Sequence, residues 1–152
     1  MSACTLDSMG ITYRLDKNQG LMTIVWDGSV TAADWRAHLQ AIFDDPEWPV
    51  GPLNLTDLRS ADISTISAAD RADIVTMYAP HLDKVRGMKS AAVAGDNFEP
   101  STEFESQKEP RGLSLIVFND LLNACTWLGV DKAVAQATIT ELRLELRGQP
   151  AV

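Results

Sequence analysis

The chain has 152 residues, of which 45% are hydrophobic and 22% charged. That balance suits one globular domain with its own core and excludes a disordered chain. Thirteen Lys+Arg against 21 Asp+Glu give a net charge of −8 at pH 7, which repels phosphate backbones and argues against nucleic-acid binding. No apolar run approaches the ~18 residues of a membrane span. The opening MSACTLDSMG lacks the basic start and apolar stretch of a signal peptide. Cys4 and Cys125 are too few and too distant for a disulfide framework, so a cytoplasmic protein is expected.

Residues 1–10 are small and polar and read as a flexible N-terminus. Ile11 to Asp16 alternates apolar and polar residues, the period of a half-buried strand. Asn18 and Gly20 supply a hairpin loop, and Leu21 to Trp26 reads as a central strand ended by Asp27-Gly28. Thr31 is an N-cap with Asp34 as its capping-box partner. The helix it opens places Trp35, Leu39, Ile42 and Phe43 on one face and stops at Asp44-Asp45-Pro46. Leu53 to Leu58 alternates as a third strand, and Ser60 to Ile66 reads as a polar loop with two apolar anchors. Ser67, with Asp70 three positions on, starts a helix striped by Ile74, Met77, Tyr78 and Leu82. Lys89 to Gly95 predicts a small-residue strand, and a short helix near Ser101 carries Phe104.

Leu113 to Phe118 reads as the last strand. Asn119 is placed to cap a helix bearing Leu121, Leu122, Cys125 and Leu128, with Gly129 closing it. Asp131 caps a final helix over 131–152 whose Ala135, Ile139, Leu142 and Leu146 form a stripe. That stripe suits either its own sheet or the same helix of a second copy, which makes a homodimer a candidate. The order predicts an α/β domain over 11–130 with a helical extension beyond. Its core is a mixed, mostly parallel five-stranded sheet with helices packed on it and an antiparallel hairpin at one edge.

Phosphate-loop, GxGxxG, GxSxG and CxxC motifs are all missing. His38 and His81 have no motif partners and read as surface or flanking residues, and Cys125 as a buried, inert thiol. No metal site and no cofactor are expected. Trp48 stands in a proline-flanked loop, either covering the sheet edge or forming a contact surface. The segment LNLTDLRSADISTI (53–66) is the most informative. A strand ending at Asp57 would bring Asp57, Arg59, Asp62, Ser64 and Thr65 to the carboxyl edge of a parallel sheet, where such sheets bind ligands. Asp62 and Ser64 would then lie near a helix N-terminus that favours negative charge, a phosphate on Ser64 included. A carboxylate–guanidinium site of Asp57, Asp62 and Arg59 is the enzymatic alternative, opposed by the lack of any sign of enclosure.

These residues resemble the STAS domain of bacterial anti-sigma-factor antagonists. In that family a strand of the form Leu-Asn-Leu-x-Asp-Leu leads to an Asp-Ser-Ser-Gly segment whose second Ser is phosphorylated. Leu53 to Leu58 matches the strand, Asp62 the loop aspartate and Ser64 the phosphoacceptor, while Ile63 and Thr65 depart from the pattern. Tyr13-Arg14-Leu15-Asp16, Gly20-Leu21, Gly28, Val30-Thr31, Asp57-Leu58-Arg59, Val117-Phe118, Ala124 and Trp127-Leu128-Gly129 are similar to a group of small STAS-like proteins. Their topology is shared with the lipid-carrying CRAL-TRIO domains. The resemblance implies a non-enzymatic module with a protein partner of the anti-sigma-kinase kind. The alternative it implies is a carrier of a small apolar ligand or lipid, with Trp48, Tyr78 and Phe104 as candidate pocket walls.

Overall fold

The computed structural model describes residues 10–97 and 114–148. Strands β1 (Ile11–Asp16) and β2 (Leu21–Ser29) pair antiparallel through a tight loop. There the Asp16 carboxylate accepts the Asn18 and Gln19 N–H groups, and Gly20 takes a φ of 61°. Helix α1 (Ala32–Asp44) leads to β3 (Leu53–Asp62), and α2 (Ala68–Val75) leads into a 3₁₀ segment (Thr76–His81) and the short α3 (Leu82–Val85). Strand β4 (Lys89–Val93), a 3₁₀ turn (Gly95–Asn97), β5 (Ser114–Phe118), α4 (Leu121–Leu128) and α5 (Lys132–Leu146) complete the order. The sheet runs β1-β2-β3-β4-β5, with β2 to β5 parallel.

Because the parallel strands follow one another across the sheet, right-handed crossovers put α1 and α2 on one face. Helices α4 and α5 come after the last strand and cover the other. The period-2 alternation of the strands then divides the core. Met22, Ile24, Trp26, Leu58 and Ala92 join Trp35, Leu39, Ile42, Ile74 and Val75 on the α1/α2 face. Leu21, Val25, Leu55, Ala91 and Val93 join Leu121, Cys125, Leu128, Ala135, Ile139 and Leu142 on the α4/α5 face. The final helical stripe therefore packs on its own sheet, against β1 and β2. Fully burying side chains such as Ile139 and Leu142 contributes roughly 1.5–3 kcal/mol each.

Capping follows the sequence closely. Thr31–Asp34 and Ser67–Asp70 form complete capping boxes, Asp131 caps α5, and Gly129 ends α4 with a φ of 77°. Asp120, not Asn119, caps α4, its carboxylate accepting the Asn123 N–H at 2.8 Å. Leu122 is exposed and Ala124 is buried in its place, since the covered stripe runs 121, 124, 125, 128. The predicted helix from Ser67 to Leu82 is not continuous. Pro80 has no N–H to give and forces a tighter 3₁₀ segment before α3. The expected N-terminal tail and the short helix carrying Phe104 lie outside the described residues, apart from Gly10.

Both long strands outrun their predicted ends. Strand β2 continues to Ser29 and β3 to Asp62, paired Asp27↔Ser60, Gly28↔Ala61 and Ser29↔Asp62. Between Val25↔Asp57 and Asp27↔Ser60 the register slips, with two residue steps on β2 facing three on β3. This is a β-bulge. The break in alternation after Arg59 is an extra residue in a strand and not the start of a loop.

At the opposite end of the sheet Gly20 and Gly51 touch through their backbones. A Cβ on Gly51 would stand 2.4 Å from the Gly20 Cα and 2.6 Å from its carbonyl oxygen. Since backbone and not a flexible side chain must move, Gly51→Ala should destabilise the fold by about 1–3 kcal/mol in a denaturant titration. Gly87→Ala, which meets nothing within 4 Å, should stay close to the parent.

Candidate functional site

The strand alternation explains an unusual lining. The polar members of β3, Asn54 and Thr56, point to the α1/α2 face and not to water, and Ser90 and Ala92 of β4 lie beside them. Side chains this small do not fill the space between sheet and helices. A cavity of about 130 Å³ results, similar in size to an engineered apolar cavity that admits benzene. Trp26, Trp35, Leu58, Ile63 and Ile66 line it toward the carboxyl ends of the parallel strands. Ile42, Phe43, Trp48, Tyr78 and Met88 line it toward their amino ends. Asn54 Nδ2 donates to Ser90 Oγ at 3.1 Å, so part of the polar floor is internally satisfied.

Aromatic contacts build the amino-end wall. Phe43 stacks on His81 with centroids 4.1 Å apart and meets Trp48 at 5.3 Å and Tyr78 at 5.6 Å. Trp48 is buried inside this wall. At the other end Trp26 and Trp35 meet edge to face at 5.1 Å. Both the Trp26 and the Trp48 indole N–H are buried with no acceptor in reach.

Above the cavity β3 ends at Asp62, and the turn to α2 has a simple design. Ile63 and Ile66 are buried in the cavity wall, while Ser64 and Thr65 between them face outward. The Asp62 carboxylate accepts the Ser64 N–H at 2.9 Å, which fixes the turn, and the Ser64 hydroxyl together with that N–H holds the Asp62 carboxyl below its usual range. The α2 start is already occupied, with Ser67 Oγ accepting the Asp70 N–H and Asp70 the Ser67 N–H.

Asp57 and Arg59, expected at the same rim, are elsewhere. Asp57 is fully buried on the α4/α5 face, five residues before the end of β3. Arg59 donates to it from Nε and Nη2 at 3.0 and 2.9 Å, and Arg143 of α5 donates from Nη2 at 2.8 Å. Arg143 also reaches Ser60 Oγ at 3.1 Å, which the bulge has turned to this face. Arg147 clasps Asp27 through two bonds at 2.9 and 2.8 Å, and Arg14 of β1 reaches Glu141 and Glu145. Burial pushes the Asp57 carboxyl up, but the Arg59 hydrogen bonds and the charges of Arg59 and Arg143 outweigh it and hold the group ionised. Asp57 thus anchors α5 to the sheet, and the carboxylate–guanidinium site with Asp62 does not assemble.

No family model matches the sequence, and no curated protein matches it significantly. Among solved structures it resembles a crystal structure of an uncharacterized protein from the DUF3478 family with a SpoIIAA-like fold, from Shewanella loihica PV-4. The match has a TM-score of 0.52 and 16% identity, covering 78% of this chain and 94% of that one. The chain has a SpoIIAA-like fold. That is the STAS-like α/β architecture the motifs of β3 and the rim resemble, with its mixed five-stranded sheet. Among the described residues no helix is long and apolar enough to cross a membrane, and no cluster of three His, Cys, Asp or Glu could hold a metal ion.

One residue of this SpoIIAA-like core departs from the sequence reading. His38 is not a surface residue. It is 3% exposed, lines the cavity and meets the Tyr13 ring edge-on at 5.8 Å. His81 is half-buried in the aromatic wall. Cys125 is buried between sheet and α4, and burial followed by the Asp131 charge raises its thiol, which keeps it protonated and inert. Burial pushes the His38 imidazole down from 6.5 to about 3. The unfolded chain therefore binds a proton that the folded chain refuses between those values, so this contribution is complete above pH 6.5 and lost as pH falls. Unfolding free energy should drop by about 1.4 kcal/mol per pH unit below 6.5. Chemical denaturation from pH 7 to 5, above most carboxylate titration, should show this slope in the parent and lose it in His38→Leu.

Proposed function

We propose that this protein is a non-enzymatic binding module whose ligand is a small apolar molecule held between the sheet and α1/α2. The observation that carries this reading is the cavity itself, because cores of this size are normally packed with few voids larger than a water molecule. Here β3 and β4 present Asn54, Thr56, Ser90 and Ala92 where large aliphatic side chains would close the gap. Aromatic side chains surround it and few polar groups enter it, the usual composition of a ligand site. The same features disfavour an enzyme: the buried carboxylate is consumed by two arginines far from the cavity face, and His38 stays neutral without an acidic partner.

Native mass spectrometry of gently purified protein is expected to show a bound small molecule, or uptake of an added apolar probe such as toluene. Ala92→Leu, which fills the floor, should abolish uptake while raising stability by about 0.5–2 kcal/mol. Persistent failure of the parent to take up any apolar probe would reject the reading.

A second reading follows from the rim. Ser64 and Thr65 are exposed on an ordered turn whose Ile63 and Ile66 anchors form the cavity wall. This turn is the surface we assign to a cytoplasmic protein partner, with Ser64 as its phosphoacceptor by resemblance to the anti-sigma-factor antagonists. A phosphate there adds about −1.5 to −2 charges beside Asp62. Intact-mass and peptide mapping of protein recovered from its native cells should find phosphate on Ser64. Its absence there under all growth conditions, with partner binding unchanged in Ser64→Asp, would remove the switch.

A further inference from the structure

We propose that the ligand of this cavity is a small apolar acid whose carboxyl group is held by the His38 imidazole. The inference rests on the apolar-ligand reading above and specifies its chemistry. His38 is 3% exposed and lines the cavity from the middle of α1. Among the described residues nothing hydrogen-bonds to its ring, and burial is the one influence that displaces its titration. A buried polar group without a partner is costly, so native cores rarely keep one. The ring nitrogens are nevertheless not sealed as the indole nitrogens of Trp26 and Trp48 are. With so little of the residue reaching the outside, the surface they keep belongs to the cavity wall. A partner for the imidazole therefore has to come from what occupies the cavity.

The wall decides the class of that partner. Arg71 of α2 lines the same cavity, 8% exposed, with Nη1 donating to the Ile66 carbonyl at 3.0 Å. Its guanidinium brings positive charge to the carboxyl end of the cavity, which favours an anion inside and opposes an amine. A carboxylate also takes the imidazole N–H in a charge-assisted bond, stronger than the bond an alcohol or ketone would form. Placement gives the acid an orientation. His38 meets Tyr13 of β1, whose neighbours across the sheet are Ile24, Thr56 and Ala92. The imidazole thus stands at the level of the middle row of the floor, which also carries the Thr56 hydroxyl. The carboxyl group lies at this level, toward Arg71, and the hydrocarbon body lies toward Phe43, Trp48 and Met88 at the amino end. A cavity of about 130 Å³ holds a body of about one ring, so acids of benzoate size match it.

Toluene, benzyl alcohol, benzoate and benzylamine share one ring and differ in the polar group, and calorimetric titration of the intact protein compares them. Benzoate is expected to bind about tenfold tighter than toluene and to move the ¹⁵N resonances of the His38 ring, which toluene leaves in place. His38→Leu should cut the benzoate preference below about threefold without changing toluene affinity by more than that. His38→Gln, which restores a donor, should recover part of the preference. Arg71→Met should weaken benzoate more than benzyl alcohol. Equal affinity for benzoate and toluene, or imidazole resonances unmoved by benzoate, would overturn the role of His38 while leaving an apolar site standing. Tighter binding of benzyl alcohol or benzylamine than of benzoate would overturn the acid class. Failure of all four, toluene included, would instead reject the cavity as a binding site.

Discussion

A sheet covered on both faces must sort every second residue to one side or the other, and most features of this molecule follow from that constraint. On the α4/α5 face the apolar residues so sorted are Leu, Val and Ala, and they meet a well-filled helical stripe. On the α1/α2 face the two central strands place Asn54, Thr56, Ser90 and Ala92 in the middle of the layer. The first face holds the domain together. The second leaves room, with aromatic residues packed on one another at both ends of it.

The bulge between β2 and β3 connects these layers to the rim. By inserting one residue it turns Ser60 toward Arg143 and restores Ala61 to the cavity side. Asp57, just before the bulge, joins Arg59 on its own strand to Arg143 on the last helix. Burying a carboxylate is costly, and here two guanidinium groups offset that cost with three side-chain hydrogen bonds. The arrangement ties the end of the chain to the middle of the sheet. The acidic surface and the internal charge network are therefore separate matters, the first governing solubility and encounter, the second the seating of α5.

The strand and the helix that frame the candidate site were readable in the residue pattern, and the misreadings share a cause. The alternation of Leu53 to Leu58 correctly marked a strand, and Ser67 with Asp70 correctly marked the helix after the rim. Polar Asn54 and Thr56 looked like the wet side of a half-buried strand, because a polar residue lining an internal cavity has the same periodicity as one facing solvent. His38 looked like a flanking residue because one helical turn carries no sign of what will cover it. Asp57 looked like a rim residue because a bulge and a strand end break the alternation identically. Arg143, the partner that explains Asp57, stands 86 positions along the chain, and no local pattern links the two.

Local interactions, whose partners lie within a few residues, were fixed by the chain alone: helix caps, the hairpin loop, strand periods, the order of elements and the absence of familiar catalytic motifs. Tertiary structure decided everything that depends on groups distant along the chain meeting in space. That includes which polar residues face water and which face a cavity, where the buried carboxylate finds its cations, and which surface the last helix covers. The reason is that periodicity records the direction a side chain takes from its own backbone, whereas burial and charge pairing depend on what arrives opposite it.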